Sequence, residues 1–171
     1  MEALLAPLRG LAEYIDLLPT SIAIRESQYF APYLTVAHVV VMSIVAGLVL
    51  MMDLRLMGLA NMRTPFTELQ RRLFPWQMFG MALAAITGLT LAYADPLRFY
   101  SNIFFWLKML MLVFAALNAM AFHYTTYYSV AAWDSSPTLP AGARLSGAIS
   151  VVLWALVIVA GRLIPYNWFA Y

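Results

Sequence analysis

The chain is 171 residues long, and 64% of its residues are hydrophobic whereas only 11% are charged. A soluble domain needs roughly 25% charged residues, so this composition excludes an ordinary soluble protein and indicates that lipid covers the outer face. The small net charge of +2 argues against nucleic acid as a partner. The absence of cysteine excludes disulfides, thiolate-bound metals, iron–sulfur clusters and covalently attached c-type haem.

Residues 1–24 predict a short amphipathic helix that precedes the apolar segments. Its apolar positions recur near the 3.6-residue period of a helix, at Leu4, Leu5, Leu8, Leu11, Ile15 and Leu18. Such a helix either lies on the membrane surface or packs on the end of a helical bundle. Because Glu2, Arg9 and Glu13 interrupt the leucines, we expect no cleavable signal peptide here.

Four apolar runs follow, each close to the roughly 20 residues that a helix needs to cross the hydrocarbon core. They cover residues of about 30–52, 73–94, 103–128 and 145–165. Lone backbone polar groups are too costly in lipid, so these runs must be helices. The sequence therefore predicts an all-α fold, in which residues 1–171 form a single membrane domain. We expect a four-helix transmembrane bundle with a short N-terminal amphipathic helix.

Turn-forming residues separate the runs, and aromatic residues mark their ends. The breaks lie at Met62 to Pro65, at Asp95-Pro96 and at Asp134 to Gly142. Tryptophan and tyrosine concentrate where spanning helices meet the membrane interface, here at Tyr29, Tyr33, Trp76, Tyr93, Tyr100, Trp106, Trp133, Tyr166, Trp168 and Tyr171.

Four spans place both termini on one side of the membrane, called side A, and the loops after the first and third spans on side B. Four arginines of side B fall in one short stretch, at positions 55, 63, 71 and 72. Short loops rich in arginine and lysine usually remain in the cytoplasm. We therefore expect a multi-pass protein of the bacterial inner membrane, with its termini on the non-cytoplasmic side.

Both histidines of the chain fall within predicted spans, His38 in the first and His123 in the third. Ionisable residues inside a membrane are costly and usually mark function. Histidines on different helices of a bundle can ligate one haem iron from opposite faces, which assigns haem b to this pair. The alternative is that each imidazole only forms a hydrogen bond to a neighbouring helix.

The depth of the two histidines tests this shared site. Residue counting places His38 near the middle of its span and His123 about two turns toward side B. At about 1.5 Å of rise per residue, the two backbones differ in depth by on the order of 13 Å. Either a predicted boundary is displaced, or the histidines belong to separate sites.

Other polar residues within the spans are candidates for contact with a cofactor. Lys108 and Arg162 lie toward side A, where they would pair with haem propionates, lipid phosphate or a quinone head group, or would snorkel to the interface. Asn118 either donates to a ligand or bridges two helices. Asp53 either caps its span and pairs with loops or holds a proton near His123. Small residues that would admit a porphyrin edge, or simply pack helices, are Gly47, Gly80, Ala84, Ala85 and Gly88.

The 11 methionines suggest copper as a second possible cofactor. His38 with Met42, and Met120 with His123, share helical faces, and a thioether together with an imidazole suits Cu(I). The alternative is that methionine only fills apolar space. The sequence contains no hydrolase triad, Walker loop or dinucleotide fingerprint.

Several short motifs carry a resemblance to known membrane proteins over about Glu26 to Tyr166. They are His38 followed by Gly47, the segment Asp53-Leu54-Arg55-Leu56-Met57-Gly58, Lys108-Met109, Asn118 with Phe122-His123, and Gly161-Arg162. With these motifs the chain resembles an uncharacterised bacterial family of small four-helix membrane proteins. That family is loosely similar to the membrane domain of copper-resistance protein D and to four-helix b-type cytochromes. The resemblance implies histidines placed for haem b or a metal.

The leading hypothesis is a membrane b-type cytochrome-like protein that carries electrons within the bilayer, to or from quinone. In it, His38 and His123 are the axial ligands, while Lys108 and Arg162 pair with propionates or a quinone. The alternatives are a copper-handling membrane protein and a non-catalytic helical subunit of a larger membrane complex or homo-oligomer.

Overall fold

The computed structural model describes residues 2–134, 136 and 138–166, with side chains from residue 7 onward. The described residues form eight α-helices and no strand: α1 (Glu2–Asp16), α2 (Pro19–Arg25), α3 (Phe30–Met57), α4 (Phe66–Ala94), α5 (Pro96–Tyr100), α6 (Ile103–Thr125), α7 (Val130–Trp133) and α8 (Ala141–Leu163). Short 3-10 turns at Tyr127–Ser129 and Ile164–Tyr166 follow α6 and α8.

Helices α3, α4, α6 and α8 are each long and apolar enough to cross a membrane, and their most apolar stretches have mean hydropathies between 1.4 and 2.4. The predicted all-α fold with four spanning helices is confirmed. The chain is thus a multi-pass membrane protein by the length and composition of its helices.

The helices extend beyond the predicted spans on side B. Helix α3 continues to Met57 rather than ending near residue 52, and α4 begins at Phe66 rather than near residue 73. Both extensions carry charged residues, namely Asp53, Arg55, Glu68, Arg71 and Arg72. Charge ends an apolar run, but it does not end a helix that continues into the membrane interface.

Local sequence explains where the spanning helices begin and end. Gly58 ends α3 in the left-handed conformation, with φ of 78°, which glycine adopts without steric cost. The Asn102 side chain caps α6 by accepting from the backbone N–H groups of Phe104 and Phe105, at 3.0 and 3.3 Å. Pro65 and Pro140 stand immediately before α4 and α8, where a missing N–H costs nothing.

The four spanning helices pack in the order α4, α3, α8, α6. Glycines allow α4 and α8 to approach α3 closely. A Cβ atom added to Gly80 would lie 2.6 Å from Val45 Cγ2, and one added to Gly147 would lie 2.9 Å from the backbone oxygen of Asp53. Small residues at helix contacts are typical of membrane bundles, where close backbone packing replaces the hydrophobic effect.

At the side A end, two helices stand where the sequence predicts one amphipathic helix. Pro19 begins α2, and α1 packs on α5 while α2 packs on α4. Ser21 Oγ donates to the Tyr93 carbonyl at 2.9 Å, and Arg25 pairs with Asp16. The segment therefore packs on the bundle end. The Leu4 and Leu5 side chains, and the predicted belt residues Trp168 and Tyr171, lie outside the described residues.

At the side B end, a buried arginine joins two loops. Arg55 is 1% exposed, and its guanidinium donates to the Thr64 carbonyl at 2.9 Å and to the Asp134 carbonyl at 3.0 Å. Beside it, the buried Phe66 ring packs against Trp133 with a centroid distance of 5.7 Å. These contacts hold the loops after α3 and α6 together.

Candidate functional site

The His38 imidazole on α3 is held by α4 through its Nδ1 atom, which lies 2.8 Å from Thr87 Oγ1. The Thr87 hydroxyl has one hydrogen, which it donates to the Leu83 carbonyl at 2.8 Å or to the Ala84 carbonyl at 3.2 Å. Thr87 Oγ1 therefore accepts from the His38 Nδ1–H group.

This tautomer makes the lone pair of His38 Nε2 an acceptor. Lys108 Nζ on α6 lies 3.4 Å from Nε2, and both side chains are partly buried. An imidazole whose Nδ1–H is fixed by a hydrogen bond, and whose Nε2 faces a cavity or partner, has the orientation of a metal ligand.

Two glycines border the His38–Lys108 pair, so that all four spanning helices contribute to one site. A Cβ atom added to Gly88 of α4 would lie 3.0 Å from His38 Cε1, and one added to Gly161 of α8 would lie 3.7 Å from Lys108 Nζ. The missing side chains make room for the His38 ring and the Lys108 amine against α4 and α8. Gly88 is among the small residues that the sequence predicts beside a cofactor. Thr87 was not predicted, because its only signal is a hydroxyl within an apolar span.

His123 lies far from this site. It follows Lys108 by 15 residues on the same helix, which corresponds to about 22 Å along the axis. Its ring is exposed and stacks on Tyr127 with a centroid distance of 5.1 Å and an interplanar angle of 17°. The structure therefore does not bring His38 and His123 to one iron, in agreement with separate sites rather than a shared one.

The other predicted ligand contacts also lie outside the His38 site. Arg162 is exposed, and its guanidinium carbon lies 5.4 Å from the centre of the Tyr166 ring. Asn118 Nδ2 donates to the Ser146 carbonyl at 3.0 Å, so it bridges α6 and α8. Lys108 is the one predicted cation that the structure places against a histidine.

The copper hypothesis gains little from the geometry. Met42 packs against the buried cluster of Val45, Trp154 and Val157, whereas Met120 is 53% exposed near the opposite end of the bundle. Within the described ranges, no group of three or more histidine, aspartate or glutamate side chains is placed to hold a metal ion. The structure thus does not bring the pair His38 and Met42 together with the pair Met120 and His123 at one metal site.

One interpretation of the sequence pairs Asp53 with the side B loops, but Asp53 forms no ion pair there within the described residues. It is 5% exposed. Its Oδ2 atom has no hydrogen-bond partner among the described residues.

Comparison with known proteins gives a family but no function. No curated protein and no solved structure matches the chain. A family model does match residues 21–167, which include every spanning helix and the whole His38 site. The chain belongs to DUF6644, a family of unknown function.

Proposed function

We propose that this protein is a membrane b-type cytochrome-like electron carrier whose haem site is formed by His38 and Lys108. The observation that carries the proposal is the tautomer of His38, because Thr87 holds Nδ1–H and leaves the Nε2 lone pair directed toward Lys108 Nζ, 3.4 Å away. His38 Nε2 would then hold the haem iron, and Lys108 Nζ would supply a second nitrogen donor.

The residues around this pair fit such a group. His38 and Lys108 project from α3 and α6, two helices that are not neighbours in the packing order. Gly88 and Gly161 let the imidazole and the amine lie close against α4 and α8, since Cβ atoms there would lie 3.0 Å from His38 Cε1 and 3.7 Å from Lys108 Nζ. When bound, haem supplies a one-electron couple whose potential depends on the axial ligands and on burial. The chain's own contribution is to fix the imidazole, to supply the amine and to exclude water.

The orientation of the chain in the membrane is inferred from the distribution of its arginines. The exposed arginines Arg71 and Arg72 at the start of α4 support side B as the cytoplasmic side of a bacterial inner membrane. The His38–Lys108 pair then lies in the non-cytoplasmic half of the bilayer, because His38 is the ninth of the 28 residues of α3 counted from its side A end.

Absorption spectroscopy of two matched variants tests the proposal. The purified full-length chain, produced in cells that make haem, should show a Soret band and a sharp α-band on reduction. His38→Ala should lose both bands, whereas His123→Ala should keep them, since His123 lies about 22 Å along α6 from Lys108. A colourless wild type, or a Soret band that survives in His38→Ala, would contradict the assignment.

One observation favours a second candidate, a non-catalytic helical subunit of a larger membrane complex. Helix α6 has no buried residue within the described chain, and Val113 and Leu117 are 53% and 52% exposed. A further membrane helix would cover this face. This candidate predicts a membrane partner that co-purifies in stoichiometric amount with a haem-free chain.

A further inference from the structure

A groove between α3 and α8 contains a carboxyl group that the proposed haem site does not use. The groove has a volume of about 210 Å³, and its lining includes Ala46, Gly47, Leu50, Asp53, Trp154 and Ile158. Every lining residue except Asp53 is apolar. Asp53 lies 15 residues beyond His38 on α3, about 22 Å along the helix, so this is a separate site.

The Asp53 carboxyl points to a ligand because one of its oxygens is buried without a partner. Asp53 is 5% exposed, and its Oδ2 atom has no hydrogen-bond partner in the described part of the chain. A buried polar atom without a partner has lost its hydrogen bond to water without replacing it, which is costly. Rotation about the last torsion of aspartate is soft, so the carboxyl group can present an oxygen to the groove.

The size and lining of the groove restrict what it can hold. An apolar cavity of about 150 Å³ binds benzene, so this groove accommodates one substituted ring. The backbone at Gly47 faces open space, since a Cβ atom added there would contact nothing within 4 Å. A ligand must therefore be flat, apolar and equipped with one hydrogen-bond donor, and it must reach the site through lipid.

From this geometry we propose that the groove binds the ring of a lipid-soluble quinol, whose hydroxyl group donates to the Asp53 carboxyl. Trp154, which is 9% exposed, forms one apolar wall beside the ring. The proposal does not depend on haem at His38, because binding at the groove requires only α3 and α8.

Equilibrium binding to the full-length chain in phosphatidylcholine nanodiscs tests the quinol site. The probes are a short-chain benzoquinol, kept anaerobic, and its dimethyl ether, which has the same ring but no donor. We expect saturable binding of one quinol per chain, and about tenfold weaker binding of the ether, which corresponds to the loss of about 1.4 kcal/mol for one hydrogen bond. Equal affinity for the two probes would overturn the donor–carboxyl contact.

Three variants locate the site. Asp53→Ala should weaken quinol binding about tenfold and leave the ether unaffected. Gly47→Leu should abolish binding of both probes by filling the groove, in open space where the fold is not strained. Val40→Leu, on the lipid-exposed face of α3, is the control that should bind normally.

Three results would contradict the quinol site. Unchanged quinol affinity in Gly47→Leu would place the ligand elsewhere, and unchanged affinity in Asp53→Ala would remove the carboxyl group from recognition. If the wild type binds no quinol and Gly47→Leu converts a dimer to a monomer, a second copy of the chain occupies the groove and the proposal is wrong. Haem spectra of the same samples report separately on the function proposed at His38.

Discussion

Lys108 Nζ lies 3.4 Å from His38 Nε2, so that an amine on α6 donates to the lone pair of an imidazole on α3. An amine and an imidazole in this arrangement either share a proton or hold a metal between them. The distinction decides whether the site is structural or functional.

Replacing Lys108 with methionine should change the coordination of the iron without losing the haem. His38 would remain as a ligand, while the second nitrogen donor would be absent, so the Soret band should shift and weaken. Absorption and electron paramagnetic resonance spectra of the oxidised protein measure this change. Arg162→Met is the control, because Arg162 is exposed and lies against Tyr166. A Lys108→Met spectrum identical to the wild type would exclude Lys108 from the site.

Replacing Thr87 with valine should raise the midpoint potential of the site. The acceptor at Nδ1–H increases the basicity of the imidazole, which stabilises the oxidised iron, and valine removes this acceptor at nearly equal volume. A shift on the order of 60 mV corresponds to a tenfold change in a one-electron equilibrium. Thr90→Val is a matched control one turn along α4, because the Thr90 hydroxyl bonds only to Ile86 O of its own helix, at 2.8 Å. Equal shifts in both variants would show that His38 is not tuned by Thr87.

The fold could be predicted from composition, whereas the site could not be predicted in full. Apolar runs identify spanning helices because lipid tolerates no unpaired backbone, and their predicted bounds were too short where charged residues of α3 and α4 continue a helix into the interface. Lys108 was expected on side A, but whether it snorkels or turns inward depends on helix rotation. Its approach to His38 follows from the packing order of the helices, which no periodicity in the sequence encodes.

The separation of the two histidines was accessible from the sequence because depth follows directly from residue number. Counting gave on the order of 13 Å, and the register of Lys108 against His38 now places His123 about 22 Å along α6. Thr87 and the Asp53 groove were not accessible. Thr87 matters because it contacts His38, and the groove matters because it contains an Asp53 oxygen without a partner. Both are properties of the packed bundle.

Adding one methyl group at Gly80 should destabilise the contact of α3 with α4. Its Cβ would lie 2.6 Å from Val45 Cγ2, and Val45 cannot move aside because it is fully buried and β-branched. We expect Gly80→Ala to lose about 1–3 kcal/mol of unfolding free energy in detergent. The double variant with Val45→Ala should recover part of this loss, which a double-mutant cycle measures. Gly47→Ala, which meets open space, should not destabilise; a loss there equal to that of Gly80→Ala would refute the steric explanation.

Removing the Arg55 guanidinium should loosen the side B end more than removing any exposed arginine. Replacing a buried ion pair with apolar residues is often neutral, because both charges leave together. Here the acceptors are the backbone carbonyls of Thr64 and Asp134, at 2.9 and 3.0 Å, and no substitution at position 55 removes them. Arg55→Met should therefore cost about 1–3 kcal/mol for each carbonyl left unpaired, seen as a lower Tm and faster proteolysis of the loop after α3. Arg71→Met, whose side chain is 76% exposed, should leave both measurements unchanged. If the two variants behave alike, the side B loops are held by the aromatic contact of Phe66 with Trp133 and not by Arg55.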